Sequence, residues 1–411
     1  MCDESASCAH DSETDAQMSL LDLPIEIFLH ICSFLEASTL AYTLSPVCKQ
    51  FYLILRDDSL WKARVNRMWT DASYPVLRLA KDNNLFWRLA CVALEKQVKL
   101  WRHQESMEKL LLTDVQYSTI DALLLMHSGT TCISGARDRS LVYWKLPTQE
   151  NEREKAACVE QAHNGWIWDL TAIDNTIYSC SWDQSIKSWM LTNTGLVQMK
   201  TYETRGPLGG ALLCVSSCAE QEVFAAGSYS STVFVYDSRS GHKPIVEYHP
   251  HSRAVIKLAM NSSYILSASE DKKVTIWDQR ARQMLRCVNI SKNAFPMCMS
   301  MHRDWVYVGD SAAELHVLNP KNDFAVVKSY ATGHKKGITG VHQTRGCLIT
   351  SSTDGTVRVS SPTDPPKCLA TLTFRFGEVA SMDYLNSVLA ISGTEGIEIW
   401  RPKSMCSNKD Q

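Results

Sequence analysis

The chain has 411 residues, with 42 basic and 44 acidic side chains and a formal net charge of −2. This length exceeds what one ordinary hydrophobic core serves, and it suits several domains or a repeat array with a small extra module. The balanced charge, with no basic cluster larger than a lysine pair, argues against a nucleic-acid partner. No apolar run reaches the roughly 18 residues of a membrane span.

The fifteen cysteines lie mostly inside apolar runs. They form no paired Cys-x-x-Cys motif of the kind that binds zinc, and no secretory leader follows Met1. We therefore expect free, buried thiols, an intracellular (cytoplasmic and/or nuclear) location, and no metal or other cofactor.

The first 100 residues change from acidic to helical in character. Residues 1–18 carry five acidic side chains and hardly any large apolar ones, which predicts a disordered tail. From residue 20 the apolar positions recur at helical spacing, first over residues 27–35 after Pro24, then over residues 40–55 with a break at Pro46. A further helix is predicted over residues 85–98. We assign residues 19–65 to a small all-α domain and residues 66–104 to a helical linker.

From Met107 onward, short apolar strands alternate with polar turns, and one pattern recurs seven times. Each repeat ends at a closing position, and these positions lie 40 to 47 residues apart. They are Trp144, Trp189, Tyr236, Trp277, Leu318, Ser360 and Trp400. A period of roughly 40–45 residues is that of WD repeats, in which each repeat forms one four-stranded blade of a propeller.

Aspartates and histidines repeat in the same register. Asp138, Asp183, Asp271 and Asp354 each lie six residues before a closing position, and His163, His251 and His334 lie 20 residues before the last three of these aspartates. The pattern resembles the hydrogen-bonded tetrad of WD repeats. The resemblance implies the tetrads His163–Ser179–Asp183–Trp189 and His251–Ser267–Asp271–Trp277, and an incomplete third, His334–Thr350–Asp354 with Ser360. A His–Asp pair that recurs from blade to blade indicates a structural role rather than a catalytic one.

Some repeats depart from the pattern. Ser230 replaces the turn aspartate in repeat three, and Ala312 does so in repeat five, which also lacks the partner histidine. We still count both as blades because the strands and their spacing persist. Repeat seven has no outer strand after it, so we expect residues 107–114 to supply that strand and close a propeller of residues 105–403. Residues 404–411 are assigned as a tail.

Three short motifs in the helical region carry a second resemblance. Residues 23–35 read LPIEIFLHICSFL, residues 45–49 read SPVCK, and residues 57–61 read DDSLW. Together they resemble an F-box, which implies binding to the adaptor subunit of SCF ubiquitin ligases through apolar side chains. The candidate adaptor-binding residues are Leu23, Pro24, Ile27, Ile31, Leu35, Leu40, Val47, Cys48, Leu60 and Trp61. The alternative, that some of them only hold the helices together, stays open.

An F-box followed by a WD propeller is similar to the architecture of the F-box/WD-repeat family. The fold class expected is therefore a small all-α F-box and helical linker followed by an all-β seven-bladed WD40-type propeller. The resemblance implies a substrate-recognition subunit of an SCF (cullin–RING) E3 ligase that binds a target protein and performs no catalysis. The alternative is a WD-repeat scaffold that acts outside ubiquitination. An enzyme is disfavoured because no nucleophile elbow, phosphate loop or metal constellation appears.

In this family, two positions of each blade face the substrate on the narrow top of the propeller. One precedes the turn aspartate, and the other follows the histidine by about five residues. These positions hold Arg137, Trp168, Trp182, Tyr229, Ile256, Glu270, Thr339 and Thr353, with Asp121 as a looser match. We expect Trp168 and Trp182 at the surface and Trp166 packed within the blade. Arg137 is the only arginine at these mapped positions, so a multiply phosphorylated degron is not supported. Binding of a single anionic group beside Arg137 stays open.

Overall fold

A computed structural model describes residues 20, 22–68, 86–148, 154–192, 195–204, 210–302 and 305–403. The predicted tails, and much of the predicted linker, lie outside the described residues. The described residues divide into two compact units, the first ending at Glu95 and the second beginning at Lys96. In the part of the chain that is described, no helix combines the length and the apolar character needed to cross a membrane.

The first unit is helical. It contains α1 (Ile25–Phe34), a π-helical turn (Thr39–Leu44), α2 (Lys49–Leu55), α3 (Asp58–Met68) and the first part of α4 (Phe86–Arg102). Pro24 occupies the N-cap of α1, and Cys48 caps α2 by accepting the Phe51 N–H through its sulfur. As predicted from Pro46, the second apolar stripe is interrupted, although its first part is a π-helical turn.

The core of this unit is small and aromatic. Phe28 stacks on Phe51 with ring centroids 4.7 Å apart, and the fully buried Trp61 donates its indole N–H to the Leu55 carbonyl at 2.8 Å. Glu95 accepts the Ala37 N–H at 2.7 Å and pairs with Arg64. These polar contacts fix short helices that would otherwise share few apolar contacts.

The second unit is a propeller of seven four-stranded antiparallel sheets, which confirms the predicted fold class. Blade 1 contains β2 (Ile120–Met126), β3 (Thr131–Ala136), β4 (Leu141–Lys145) and β5 (Lys155–Val159), and blade 2 contains β6 (Ile167–Ile173), β7 (Thr176–Ser181), β8 (Ser185–Thr192) and β9 (Gly195–Glu203). Blade 3 contains β10 (Leu212–Cys218), β11 (Val223–Ser228), β12 (Val233–Asp237) and β13 (Val246–Tyr248), and blade 4 contains β14 (Val255–Met260), β15 (Tyr264–Ser269), β16 (Lys273–Asp278) and β17 (Gln283–Asn289). Blade 5 contains β18 (Pro296–His302), β19 (Trp305–Asp310), β20 (Glu314–Asn319) and β21 (Ala325–Ala331), and blade 6 contains β22 (Ile338–Gln343), β23 (Leu348–Ser352), β24 (Thr356–Ser360) and β25 (Cys368–Thr373). Blade 7 contains β26 (Ser381–Leu385), β27 (Val388–Ser392), β28 (Ile397–Pro402) and β1 (Met107–Leu112).

Blade 7 is built from both ends of the propeller sequence. Strand β1 pairs antiparallel with β28, with Met107 opposite Pro402 and Leu112 opposite Ile397. The N-terminal strand thereby provides the outer strand that the seventh repeat lacks. Such a closure removes the open edge that the last blade would otherwise present.

The cysteines fit the expected pattern only in part. All twelve cysteines among the described residues are free thiols, and most are buried. Burial raises the pKa of Cys91 to about 12, which makes this thiol unreactive at neutral pH. Cys158, Cys287 and Cys368 are exposed, contrary to the expectation of buried thiols, because they lie on the outer strands β5, β17 and β25.

Candidate functional site

Blade 2 carries a complete hydrogen-bonded tetrad. His163 Nδ1–H donates to Asp183 at 3.0 Å, the Ser179 hydroxyl donates to His163 Nε2 at 2.7 Å, and the Trp189 indole N–H donates to Ser179 at 2.8 Å. Burial lowers the pKa of His163, so the ring is neutral. Although burial opposes it, hydrogen bonds from His163 and Ser185 hold the pKa of Asp183 well below its usual range. Every polar group is engaged within the blade, which fits a structural role.

The corresponding network of blade 4 joins three of its four predicted members. His251 donates to Asp271 at 3.1 Å and accepts from Ser267 at 2.8 Å. The predicted tetrad is wrong at Trp277. Among the described residues, no hydrogen bond joins the Trp277 indole to Ser267. Trp277 stacks on Tyr248 instead, with centroids 3.9 Å apart. Aromatic packing has replaced the fourth hydrogen bond.

Blade 6 keeps a network around His334 that ends without a tryptophan. Thr350 donates to His334 Nε2 at 2.9 Å, and Asp354 lies 3.4 Å from Nδ1. Thr356 lies 3.0 Å from the same nitrogen. The threonines complete the hydrogen bonding of this histidine where Ser360 stands at the closing position.

Two blades hold polar networks that the sequence offsets missed. In blade 1, Gln116 replaces the histidine: Ser134 donates to its Oε1 at 2.5 Å and receives the Trp144 indole N–H at 2.9 Å. In blade 5, His316 donates to the buried Asp310 at 3.1 Å. The ring's other nitrogen contacts Ser329 at 2.7 Å. Serine ten residues before Trp144 was the signal for the first network, whereas the second follows no repeat offset.

The predicted top-face positions are structurally equivalent. The residue before each turn donates its backbone N–H to the segment that enters the inner strand, as Trp182 does to the Trp166 carbonyl at 2.9 Å. Arg137, Tyr229, Glu270 and Thr353 make the same bond at 2.8–3.2 Å. The second set of positions occupies β-bulges at the start of the inner strands. These bulge residues are Asp121, Trp168, Leu213, Ile256, Met297 and Thr339, of which the sequence pattern missed Leu213 and Met297.

Four aromatic residues of blades 2 and 3 meet on this face, and we call them the aromatic patch: Trp166, Trp168, Trp182 and Tyr229. The three indole centroids lie 6.1–6.2 Å from one another, and Tyr229 lies 5.9 Å from Trp182. Trp166, Trp182 and Tyr229 are 43%, 44% and 59% exposed. The expectation for Trp166 was wrong, because this residue precedes β6 and lies opposite the exposed turn. Trp168 is half-buried, and no described residue accepts a hydrogen bond from its buried indole N–H.

Arg137 lies against the patch and is already engaged. Its guanidinium makes two hydrogen bonds to Asp121, at 2.7 and 3.0 Å, and lies 5.3 and 5.1 Å from the ring centroids of Trp166 and Trp168. The hydrogen bond to Asp121 raises the pKa of Arg137. Burial raises the pKa of Asp121, although Arg137 opposes this shift. A bidentate pair stacked on two indoles leaves little of this guanidinium for an external anion.

The remaining top-face candidates belong to blades 4 and 6. Ile256, Glu270, Thr339 and Thr353 are all half-buried, and Thr339 hydrogen-bonds Ser351 at 3.0 Å within its own blade. The aromatic part of the predicted face is formed by blades 2 and 3, with Arg137 of blade 1 beside it.

The helical unit exposes an apolar stripe on α1. Ile27, Ile31 and Phe34 follow one another at helical spacing and are 47%, 38% and 76% exposed, whereas Phe28 and Cys32, one position further along, form the buried face. Val47 is also strongly exposed. Phe34 was read as part of the helical stripe but not as a binding residue. An exposed apolar stripe of this kind is a candidate binding surface.

The other predicted adaptor-binding residues differ in exposure. Pro24 is exposed, and Leu23, Leu35, Cys48 and Leu60 are half-buried. Leu40 and Trp61 are fully buried and offer no surface, so they hold the helices together. A cavity of about 790 Å³ opens beside them and is lined mainly by apolar side chains, including Ile25, Leu29, Leu53, Leu60 and Met68.

Comparison with known proteins matches both units. A family model described as F-box-like matches residues 20–67, and one described as WD domain, G-beta repeat, matches residues 156–190, 242–278 and 326–359. The F-box/WD repeat-containing protein 9 of Bos taurus is 33% identical over 401 residues, which cover 96% of this chain and 85% of that protein. The chain belongs to the F-box/WD-repeat family. The three matched repeats fall in blades 2, 4 and 6, which are the blades with a histidine 20 residues before the turn aspartate.

Two further relatives support the assignment. The F-box/WD repeat-containing protein 9 of Homo sapiens is 32% identical over 394 residues, or 94% of this chain and 83% of that protein. The F-box/WD repeat-containing protein mec-15 of Caenorhabditis elegans is 26% identical over 331 residues, or 78% of this chain and 80% of that protein. Similarity to members of the F-box/WD-repeat family therefore extends through both the F-box and the propeller.

Proposed function

We propose that the chain is the substrate-recognition subunit of an SCF (cullin–RING) E3 ubiquitin ligase. The F-box binds the SCF adaptor, and the top face of the propeller binds a target protein. The chain itself performs no chemistry and instead brings the target to the ligase. The observation that carries the proposal is the exposed apolar stripe of α1 within a segment that matches the F-box model.

The adaptor-binding surface proposed here is narrower than the sequence motif. It comprises the exposed or half-buried members of the predicted set together with Phe34. These residues are Leu23, Pro24, Ile27, Ile31, Phe34, Leu35, Val47, Cys48 and Leu60. Leu40 and Trp61 are buried and contribute by holding the helices together. A helical domain of about 45 residues is marginally stable alone and gains stability when a partner covers such a surface.

Co-purification with the adaptor and cullin tests this proposal. Tagged wild type is compared with a Leu23→Ala/Pro24→Ala variant and with a Met199→Ala control, which removes an exposed apolar side chain from β9 of the propeller. We expect wild type and control to retain both partners and the double variant to lose them. Undiminished recovery of the adaptor by the double variant would contradict the assignment. Adaptor without cullin on the wild type would favour a scaffold outside ubiquitination.

A further inference from the structure

We propose that the aromatic patch and Arg139 bind a short, unmodified peptide segment in which a large aromatic or aliphatic side chain lies close in sequence to a single carboxylate. The inference rests on the proposed function to the extent that this peptide is the recognition segment of the ligase target. It assigns a ligand chemistry to a surface whose residues come from three successive blades.

The packing of the rings determines how a ligand meets them. Indole centroids about 6 Å apart, at interplanar angles of 40–56°, are in contact with one another and leave no slot for insertion. Trp166, Trp182 and Tyr229 therefore present ring faces and edges outward as one continuous surface. Such a surface matches a flat or branched apolar side chain that packs on top of it. Rigid aromatic side chains also lose little conformational entropy on binding.

The charges next to the rings define the second part of the ligand. A groove of about 710 Å³ is lined by Arg137, Asp138, Arg139, Asn164, Gly165, Trp166 and Trp182. Asp121 engages Arg137, and the Asp138 carboxylate accepts from the Tyr117 and Ser140 N–H groups, both at 2.9 Å. Arg139 is exposed, and among the described residues no carboxylate pairs with it. Within the described part of the chain, Arg139 is thus the groove guanidinium without a carboxylate partner, and it lines the same groove as Trp166 and Trp182.

This arrangement favours a carboxylate over other charged groups. A phosphate dianion is typically bound by several basic groups, and Arg137 is held by Asp121. A cationic ligand would face the Arg139 guanidinium, and Arg137 already lies over the rings of Trp166 and Trp168. One aspartate or glutamate side chain matches the single positive charge of Arg139, with the neighbouring apolar side chain on the rings.

Peptide selection followed by affinity measurement tests the proposal. A random 16-residue phage-displayed library is selected on the full-length chain, with counter-selection on a Trp182→Ala variant. We expect enriched peptides to contain Phe, Trp, Tyr, Leu or Met within three positions of Asp or Glu. Enrichment of lysine or arginine instead, or the absence of any peptide whose binding depends on Trp182, overturns the proposal.

Fluorescence polarisation of a selected peptide measures each contribution. We expect Trp182→Ala and Trp166→Ala to weaken binding by at least about tenfold, and Arg139→Ala by about threefold to tenfold. Trp182→Phe keeps an aromatic surface and should retain most of the affinity, and Met199→Ala should leave it unchanged. Unfolding midpoints equal to wild type separate lost contacts from misfolding.

Changes in the peptide separate the possible ligands. Replacing its carboxylate by an amide should weaken binding to wild type but not to Arg139→Ala. Replacing it by phosphoserine should bring no gain, and a gain of tenfold or more overturns the carboxylate assignment. The two proposals fail separately: a chain that binds such peptides but no adaptor removes the ligase role, whereas a chain that binds adaptor but no such peptide removes only this inference.

Discussion

The helical unit exposes part of its apolar surface, whereas the propeller packs large apolar clusters between its blades. In the helical unit, α1 buries Phe28 and Cys32 while the neighbouring Ile27, Ile31 and Phe34 are exposed. In the propeller, large apolar clusters fill the space between adjacent blades, as in the cluster around Phe224, Tyr236 and Tyr202. The small unit has too little volume to bury its whole apolar stripe.

The aromatic patch is a part of the propeller that, like α1, exposes neighbouring large apolar side chains. Trp166, Trp182 and Tyr229 expose ring surface although Trp189, in the same blade, is almost completely buried. Exposed apolar area, rather than apolar composition, therefore distinguishes candidate binding surfaces from core.

The largest expected effect is on blade 2. Trp189→Ala removes a buried indole that donates to Ser179, and we expect the free energy of unfolding of the propeller to fall by about 3–5 kcal/mol. Trp182→Ala, which removes a tryptophan of the same blade from the surface, should change it by less than about 1 kcal/mol. Urea unfolding followed by circular dichroism checks both. Equal losses would show that Trp182 belongs to the core.

A smaller effect on stability should distinguish the histidine networks of blades 2 and 4. Ser179 receives the Trp189 indole N–H and donates to His163, whereas Ser267 bonds His251 without Trp277. Ser179→Ala therefore leaves two buried groups unpaired and should cost about 2–4 kcal/mol, while Ser267→Ala leaves one and should cost about half as much. Unfolding midpoints measured under identical conditions compare the two. The reverse order would contradict the structural difference between these blades.

The helical unit should show a loss of binding rather than a loss of stability. Phe34→Ala removes the most exposed side chain of the α1 stripe, so we expect adaptor affinity to fall by about tenfold while the unfolding midpoint stays within error of wild type. Surface plasmon resonance with the purified adaptor measures the affinity. Leu53→Ala, which removes an exposed leucine of α2, is a matched variant for mapping the edge of the surface.

The smallest effect is a pH dependence of the propeller. Burial lowers the pKa values of His163, His251 and His334, so these rings are neutral when folded and take up protons more readily when unfolded. The contribution of these neutral rings to the free energy of unfolding is complete above the ordinary histidine pKa of about 6.5. It is lost as the pH falls below that value. We expect a lower melting temperature at pH 5.5 than at pH 7.5. The difference in melting temperature between these two pH values should be smaller in His163→Gln. An unchanged difference would exclude His163 as a contributor.

The fold could be predicted from two signals. The spacing of closing positions defined seven blades, and the helical spacing of apolar residues, together with the F-box motif, defined the helical unit. Periodicity does not determine which side of an amphipathic helix faces its own core. Phe28 and Cys32 were therefore left out of the predicted α1 stripe, although they form its buried face.

The site residues depend on local departures from regular structure. Trp168 occupies a β-bulge at the start of β6 and Trp166 lies just before this strand, so regular strand alternation describes neither side chain. Fixed offsets likewise missed the Gln116 and His316 networks, because these blades satisfy the same hydrogen-bonding need with other residues. Such compensation depends on contacts between strands, which a repeat pattern does not contain.

We propose that two separate exposed apolar surfaces bind two different partners. Adaptor binding and peptide binding are measured in parallel for Ile31→Ala/Phe34→Ala and Trp166→Ala/Trp182→Ala. We expect the first variant to lose the adaptor and keep the selected peptide, and the second to keep the adaptor and lose the peptide. Loss of both ligands in either stably folded variant, or of neither in both, would show that the two surfaces do not act separately.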